Sequence, residues 1–166
     1  MKKRIAVWTV AFAALASAGS LLAHHSLAQY DTTTAVRVKG TVALFQRVNP
    51  HSIIFIDQKG PNGETQRWAV EGPPVPQLER RGFTREALKV GDVIEACGYV
   101  TKDHRDRTVD TEPISLSLKA TTPKSVSGRL MDGELLTMPD GKQQVWSDYG
   151  FHKCMAPDYQ DIHGVR

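Results

Sequence analysis

Residues 36–44 read VRVKGTVAL, and their alternation of apolar and polar side chains decides the fold class. The three valines and Leu44 would share one face, with charged or small residues between them. A period of two along the chain is typical of a strand that buries one face. Gly40 predicts a bulge or sharp coil within this strand, because glycine adopts backbone conformations that other residues avoid.

The chain on either side of this strand predicts a small OB-like antiparallel β-barrel, an all-β fold with one short helix. Strands are predicted at residues 36–47, 51–58, 65–71, 92–101 and 113–120, with a helix at 75–81. Three strands, a helix and two further strands follow one another in the order of an OB fold. The last strand is predicted because Ile114, Leu116 and Leu118 alternate with serine.

The core of this barrel is predicted from the inward positions of the strands. These are Val38, Val42, Leu44, Ile54, Ile56, Trp68, Val70, Ile94, Leu116 and Leu118. Trp68, Tyr99 and Phe55 could instead line a face on which a ligand stacks, although filling the core is the more frequent use of aromatic residues.

Three segments of different character divide the chain. Residues 1–23 predict a signal peptide, residues 24–120 the OB-like barrel, and residues 121–166 a linker, a terminal hairpin and an irregular tail. The linker, 121–134, is inferred from its Ser, Thr and Gly content. A polar loop is predicted at 101–112, before the last barrel strand.

The first 23 residues show the order of a secretory signal. Three basic residues come first, residues 5–22 are almost wholly apolar, and small residues precede a cleavage point after Ala23. A membrane anchor is the alternative, since about 18 apolar residues can just cross a bilayer, but polar residues interrupt this run. We expect a periplasmic or secreted protein that keeps no stable membrane span after cleavage.

Charge gives an expectation about partners. Cleavage would remove three of the 21 Lys and Arg residues and none of the 18 Asp and Glu residues, which leaves the rest of the chain neutral. Nucleic-acid binding needs a concentrated basic surface. The sequence therefore predicts no nucleic-acid partner and leaves an unknown small ligand or a periplasmic protein as candidates.

Catalytic signatures are missing from the sequence. It contains no Gly-x-Ser-x-Gly nucleophile elbow, no phosphate-binding glycine loop and no His-Glu-x-x-His zinc helix. We therefore expect a binding protein and not an enzyme.

Histidines provide the candidate site. His24 and His25 stand at the predicted mature N-terminus, and His51 follows a turn at Asn49-Pro50. An α-amine and an imidazole from one residue chelate Cu(II), and further imidazoles can complete a planar set of nitrogen ligands. The alternative is that His-His occurs by chance and that His51 belongs to the turn.

Two cysteines, Cys97 and Cys154, would share an oxidising compartment, where a disulfide between them is possible but is not specified by their spacing. His152, Cys154, Met155 and His163 form a second, weaker candidate metal set in the tail.

Six short motifs together resemble a known family. They are His24-His25-Ser26, Lys39-Gly40-Thr41-Val42, Asn49-Pro50-His51-Ser52, Trp68-Ala69-Val70-Glu71, Arg80-Arg81-Gly82-Phe83-Thr84 and Leu88-Lys89-Val90-Gly91-Asp92. The chain thus resembles small secreted bacterial proteins that are classified only as a domain of unknown function, family 6152. The resemblance covers residues 24–101, with a weaker echo at 137–142.

This resemblance implies no activity. It implies that His24, His25 and His51 occupy recurrent motif positions, which strengthens the metal hypothesis. Residues 102–134, Cys97 and the tail beyond Gly150 depart from the family pattern. Two hypotheses remain. One is an exported protein that binds copper or another late transition metal through the N-terminal histidines, and the other is a metal-free module for a small ligand or partner protein.

Overall fold

Strands dominate the computed structural model, which describes residues 28–104, 106–110, 125–147, 151–155 and 160–161. The elements are β1 (Val36–Gln46), β2 (Ile53–Lys59), β3 (Thr65–Glu71), α1 (Val75–Arg80), β4 (Val93–Val100), β5 (Asp106–Asp110), β6 (Ser125–Thr137), β7 (Gln143–Val145), α2 (Phe151–Cys154) and β8 (Gln160–Asp161). The predicted signal peptide lies outside the described residues, and so do His24 and His25.

Five of these strands close into a barrel. β1 pairs with β2, β2 with β3, β3 with β6, β6 with β4, and β4 returns to β1. The β3–β6 pairing is parallel and the other four are antiparallel. The structure therefore confirms the all-β, OB-like fold with one short helix, α1, between β3 and β4.

β1 serves two neighbours because it changes register along its length. Residues 36–41 pair with β4 and residues 41–46 pair with β2. The irregularity lies between Val42 and Leu44, not at Gly40 as the sequence predicts. One extra residue reverses which side of the strand each later side chain faces. Leu44 consequently packs in a small cluster separate from the main core. Phe45 packs against the main core, in the place predicted for Leu44.

Inward side chains of the barrel strands form the main core. Val38, Val42, Ile54, Ile56, Trp68, Val70 and Ile94 are buried there, as predicted, whereas Leu116 and Leu118 fall outside the described residues. Helix α1 and the loop after it contribute Leu78, Phe83 and Leu88. The Phe83 and Trp146 rings meet edge to face, with centroids 5.0 Å apart.

The chain after β4 differs from the prediction, because β6 begins within the predicted linker. Residues 125–134 were expected to be linker, yet they belong to the strand that closes the barrel. The predicted strand at 113–120 lies outside the described residues. β5, within the predicted polar loop, forms a hairpin ladder with the first half of β6. The expected hairpin between β6 and β7 is present.

Glycine in β6 is a packing requirement and not a linker signal. A Cβ at Gly133 would lie 2.5 Å from Val70 Cγ1 and 2.7 Å from Trp146 Cδ1. Only a residue without a side chain allows the Trp146 indole to lie against the strand here.

A second cluster forms outside the barrel, where the segment before β1 meets the C-terminal tail. Its buried members are Tyr30, Ala35, Cys97, Tyr99, Leu135 and Cys154. Cys97 on β4 and Cys154 on α2 are joined by a disulfide. Lys153 Nζ donates to the carbonyl of Thr32 at 2.6 Å, and Arg37 donates to the carbonyl of Cys154. The tail expected to be irregular thus holds the chain before β1 in place.

Among the described residues, no helix combines the length and the apolar character needed to cross a membrane.

The disulfide should contribute measurably to stability. Cys97→Ala/Cys154→Ala opens a loop whose ends are 57 residues apart, which in the chain-entropy model lowers the free energy of unfolding by about 4 kcal/mol. Urea unfolding of the oxidised protein and the double variant measures this difference. Reduced wild-type protein, the matched control, should unfold with the variant. Two free thiols in natively purified, unreduced protein, or equal midpoints for all three samples, would contradict the prediction.

Candidate functional site

Glu71 is the last residue of β3, where the chain leaves the barrel. Its Cα partners are Ile53 on β2 and Asp132 on β6. Gly72-Pro73-Pro74 follows, and proline cannot continue the ladder because it lacks an N–H. The Glu71 side chain therefore stands where β3 ends, between the first residue of β2 and the middle of β6.

The Glu71 carboxylate joins two distant parts of the chain. Oε1 lies 3.0 Å from Nδ1 of His51, in the loop between β1 and β2. Oε2 accepts a hydrogen bond of 2.5 Å from the Tyr30 hydroxyl. The carboxylate thus lies between the histidine loop and the segment before β1, with a hydrogen bond to the segment and an ion-pair contact to the loop.

His51 lies beside the Glu71 carboxylate, near the end of β3. Its Nδ1 is within ion-pair distance of Oε1, and the two groups carry opposite charges when the ring is protonated. The His51 side chain is 46% exposed and that of Glu71 is 17% exposed. A half-exposed imidazole therefore stands next to a largely buried carboxylate.

Tyr30 reaches Glu71 from the second cluster, where the segment before β1 meets the C-terminal tail. Tyr30 is 2% exposed and forms an isolated β-bridge with Thr101, just beyond β4. Burial raises the pKa of Tyr30, and the neighbouring charge of Glu71 raises it further. The hydroxyl therefore stays protonated at neutral pH and can donate to the carboxylate.

Asp132 adds a second carboxyl beside Glu71. Burial raises the pKa of Asp132 to about 7, and the Glu71 charge acts in the same direction. Two adjacent carboxylates do not readily carry full charge together in a poorly solvated place. Near neutral pH, Asp132 is consequently protonated for part of the time.

Trp146 fixes the backbone of Glu71. The indole Nε1 donates to the Glu71 carbonyl at 3.1 Å. A Cβ at Gly72 would clash with this indole, as would one at Gly133. The ring thus fits between two glycines, and the end of β3 gains a part-buried hydrogen bond.

The predicted site residues have different outcomes. His51 lies in this cluster, while His24 and His25 fall outside the described residues. No group of three or more His, Cys, Asp or Glu residues that could hold a metal occurs within the described ranges. In the tail, the Cys154 sulfur belongs to the disulfide, which removes the thiolate from the weaker candidate set.

The aromatic residues considered for a stacking face are all buried. Trp68 lies in the main core and donates from Nε1 to Gln58 Oε1 at 2.9 Å. Phe55 and Tyr99 belong to the two smaller clusters. They contribute to packing and do not provide an exposed surface.

Sequence reasoning missed three members of the cluster, Tyr30, Glu71 and Asp132. A carboxylate directly before Gly72-Pro73-Pro74 marks the end of a strand, which could have drawn attention to Glu71. Tyr30 and Asp132 carry no local signal, because only the closed barrel brings them to Glu71.

Comparison with known proteins identifies a family and one structural likeness. The model described as "Family of unknown function (DUF6152)" matches residues 11–110. No curated protein matches the chain. A crystal structure of the mitochondrial single-stranded DNA binding protein Rim1 from S. cerevisiae aligns with a TM-score of 0.39 and 11% identity. The alignment covers 63% of this chain and 93% of the yeast protein.

This likeness corrects the expectation about partners. The aligned protein is named for binding single-stranded DNA, which contradicts the prediction that a nucleic-acid partner is excluded. The physical reason is that net charge averages over a whole surface, whereas a nucleic acid contacts one groove. An alignment this weak carries no argument that the present chain binds DNA.

Ionisation of Asp132 should make stability depend on pH. The pKa is 3.8 for an ordinary aspartate and about 7 here, so the folded state binds more protons between these values. The free energy of unfolding therefore falls as the pH rises from about 4 to about 7, and Asp132→Asn should remove about 1–3 kcal/mol of this fall.

Urea unfolding across this pH range measures the difference between variant and wild type. Asp106→Asn, at an exposed carboxylate, is the control and should follow the wild type. A difference for Asp132→Asn that stays constant with pH would show that Asp132 ionises like an ordinary aspartate.

Proposed function

The chain belongs to the family of unknown function DUF6152, and we propose that it is an exported protein that binds Cu(II) through His24, His25 and His51. The observation that supports this most is the 3.0 Å contact between His51 Nδ1 and Glu71 Oε1. The role proposed is metal binding, and no catalytic step is assigned to the site.

Glu71 gives His51 a neighbour that is common beside metal-binding histidines. Such histidines usually have a carboxylate, a carbonyl or water next to the ring nitrogen that does not bind the metal. In this protein the carboxylate lies at the end of β3, 3.0 Å from Nδ1, and the ring is half-exposed.

The N-terminal histidines are within reach of His51. Tyr30 binds the other oxygen of Glu71, which places the segment before β1 beside the histidine loop. Five residue steps separate His25 from Tyr30, and an extended chain covers about 3.3 Å in each step, or about 17 Å in all. This length is ample to return an imidazole or the new α-amine to His51.

Cleavage after Ala23 would complete the ligand set. His24 would then offer its α-amine and its imidazole, and His25 and His51 would supply further imidazoles. Nitrogen ligands of this kind suit Cu(II). If cleavage leaves Ala23 in place, His25 becomes the third residue, which is another copper-chelating arrangement.

Location outside the cytoplasm is part of the proposal. The order of charged, apolar and small residues in 1–23 supports export. The Cys97–Cys154 disulfide also supports it, because such bonds persist in oxidising compartments.

Titration calorimetry with cleaved protein tests the proposal. We expect one Cu(II) to bind more tightly than micromolar, and His51→Ala to weaken binding without unfolding the barrel. His104→Asn is the control. His104 is an exposed histidine after β4 that lies near Asp31, in the segment before β1. Loss of affinity in His104→Asn instead of His51→Ala would show that the N-terminal segment runs elsewhere.

Two further measurements test which atoms bind. One residue added before His24 should weaken binding if the α-amine is a ligand, and affinity should fall as the pH is lowered because imidazoles and the amine must lose protons. If the cleaved protein takes up no Cu(II) tighter than micromolar, the metal-free binding module becomes the better account.

A further inference from the structure

We propose that residues 28–35 form a strap that closes over the outside of the barrel when Asp132 is protonated and loosens when Asp132 ionises. The strap is the described segment before β1. Its closure depends on Tyr30, Glu71 and Asp132, which the fold brings together from three separate parts of the chain. The strap needs no metal ion and is independent of the proposed copper site.

The Tyr30 side chain crosses two strands of the barrel. Its backbone forms the bridge with Thr101, just beyond β4, whereas its hydroxyl donates to Glu71 on β3. β6 lies between β3 and β4 in the sheet. Tyr30 therefore reaches over β6. It does so beside Asp132, whose cross-strand partners are Glu71 and Tyr99.

Closure of the strap shields Asp132 from water. Tyr30 is buried and packs with Tyr99 in the second cluster. Burial raises the pKa of Asp132 to about 7, and the Glu71 charge acts in the same direction. A poorly solvated carboxyl beside a second carboxylate is favoured in its neutral form. The closed strap and the protonated carboxyl should therefore stabilise each other.

Other charged groups also face this region. Lys153 on α2 has its Nζ 5.9 Å from the centre of the Tyr99 ring. His51 lies beside the other oxygen of Glu71. Asp31 belongs to the strap itself, and hydrogen bonds within the strap hold the pKa of Asp31 below its ordinary value. Asp31 therefore stays ionised over the pH range in which Asp132 changes its charge.

The strap can loosen while the barrel stays closed, because residues 28–35 contribute to none of the five barrel strands. Two backbone hydrogen bonds join it to the end of β4. Asp31 N donates to Val100 O at 2.8 Å, and Lys102 N donates to Gln29 O at 2.9 Å. Segments held by a few such contacts open at a lower free energy than a barrel core.

Hydrogen exchange of the metal-free protein, followed by mass spectrometry, tests the proposal. We expect the strap to exchange faster than β2 at every pH, after correction for the intrinsic exchange rate. Between about pH 4 and about pH 7, its opening constant should rise roughly tenfold to thousandfold. This is the sign expected for a carboxyl whose pKa is raised from 3.8 in the closed state.

Asp132→Asn keeps the size of the side chain and cannot ionise, so its strap should show no such rise. Asp31→Asn is the matched control, since it removes a carboxylate that bonds to Thr33 within the strap, and it should follow the wild type. A rise that persists in Asp132→Asn, or a strap that exchanges only as fast as β2, would contradict the proposal.

A second measurement serves if Asp132→Asn folds poorly. ¹³C NMR should show the Asp132 carboxyl titrating near 7 in the wild type. Tyr30→Ala removes the ring that crosses β6, so the midpoint should fall by at least about one pH unit towards 3.8. Asp31→Asn should leave it unchanged. Equal midpoints in the wild type and Tyr30→Ala would show that the strap does not shield Asp132, and the proposal would fail.

Discussion

The carboxylate of Glu71 contacts two residues that are far from it in sequence. It accepts a hydrogen bond from the Tyr30 hydroxyl and lies 3.0 Å from Nδ1 of His51. It can do so because β3 lies between β2 and β6, which fixes the end of the strand, and because the Trp146 indole holds the Glu71 carbonyl. The parallel β3–β6 pairing also places Asp132 opposite Glu71. Burial, and then the Glu71 charge, raise the pKa of Asp132 to about 7. The closed barrel thereby determines the geometry and the charge of the candidate site.

Local patterns were sufficient for most of the barrel but not for its closure. β1 to β3, α1 and β4 follow from alternation and turn residues, which depend only on neighbours in sequence. Leu44 was assigned to the core because no local signal reveals the bulge before it. The part of β6 before residue 135 is predicted as a linker because glycine is typical of loops, although Gly133 is needed here for the packing of Trp146.

The candidate site was predictable only in part, for a similar physical reason. His51 drew attention as a histidine after a turn, and its family motif strengthened that interpretation. Its partner Glu71 is 41 residues from Tyr30, and the three meet only after strand pairing has folded the chain before β1 across the barrel. Long-range contacts of this kind leave no mark in composition or spacing, so the supporting residues of the site emerge from the structure alone.

Anomalous X-ray diffraction at the copper edge, from crystals of the cleaved protein grown with one equivalent of Cu(II), tests the central claim most directly. The account predicts a single strong peak bonded to Nε2 of His51 and to nitrogen atoms of the N-terminal histidines, with Glu71 still on Nδ1. A peak at His104 or in the C-terminal tail, or no ordered copper while Nε2 of His51 faces solvent, would contradict it.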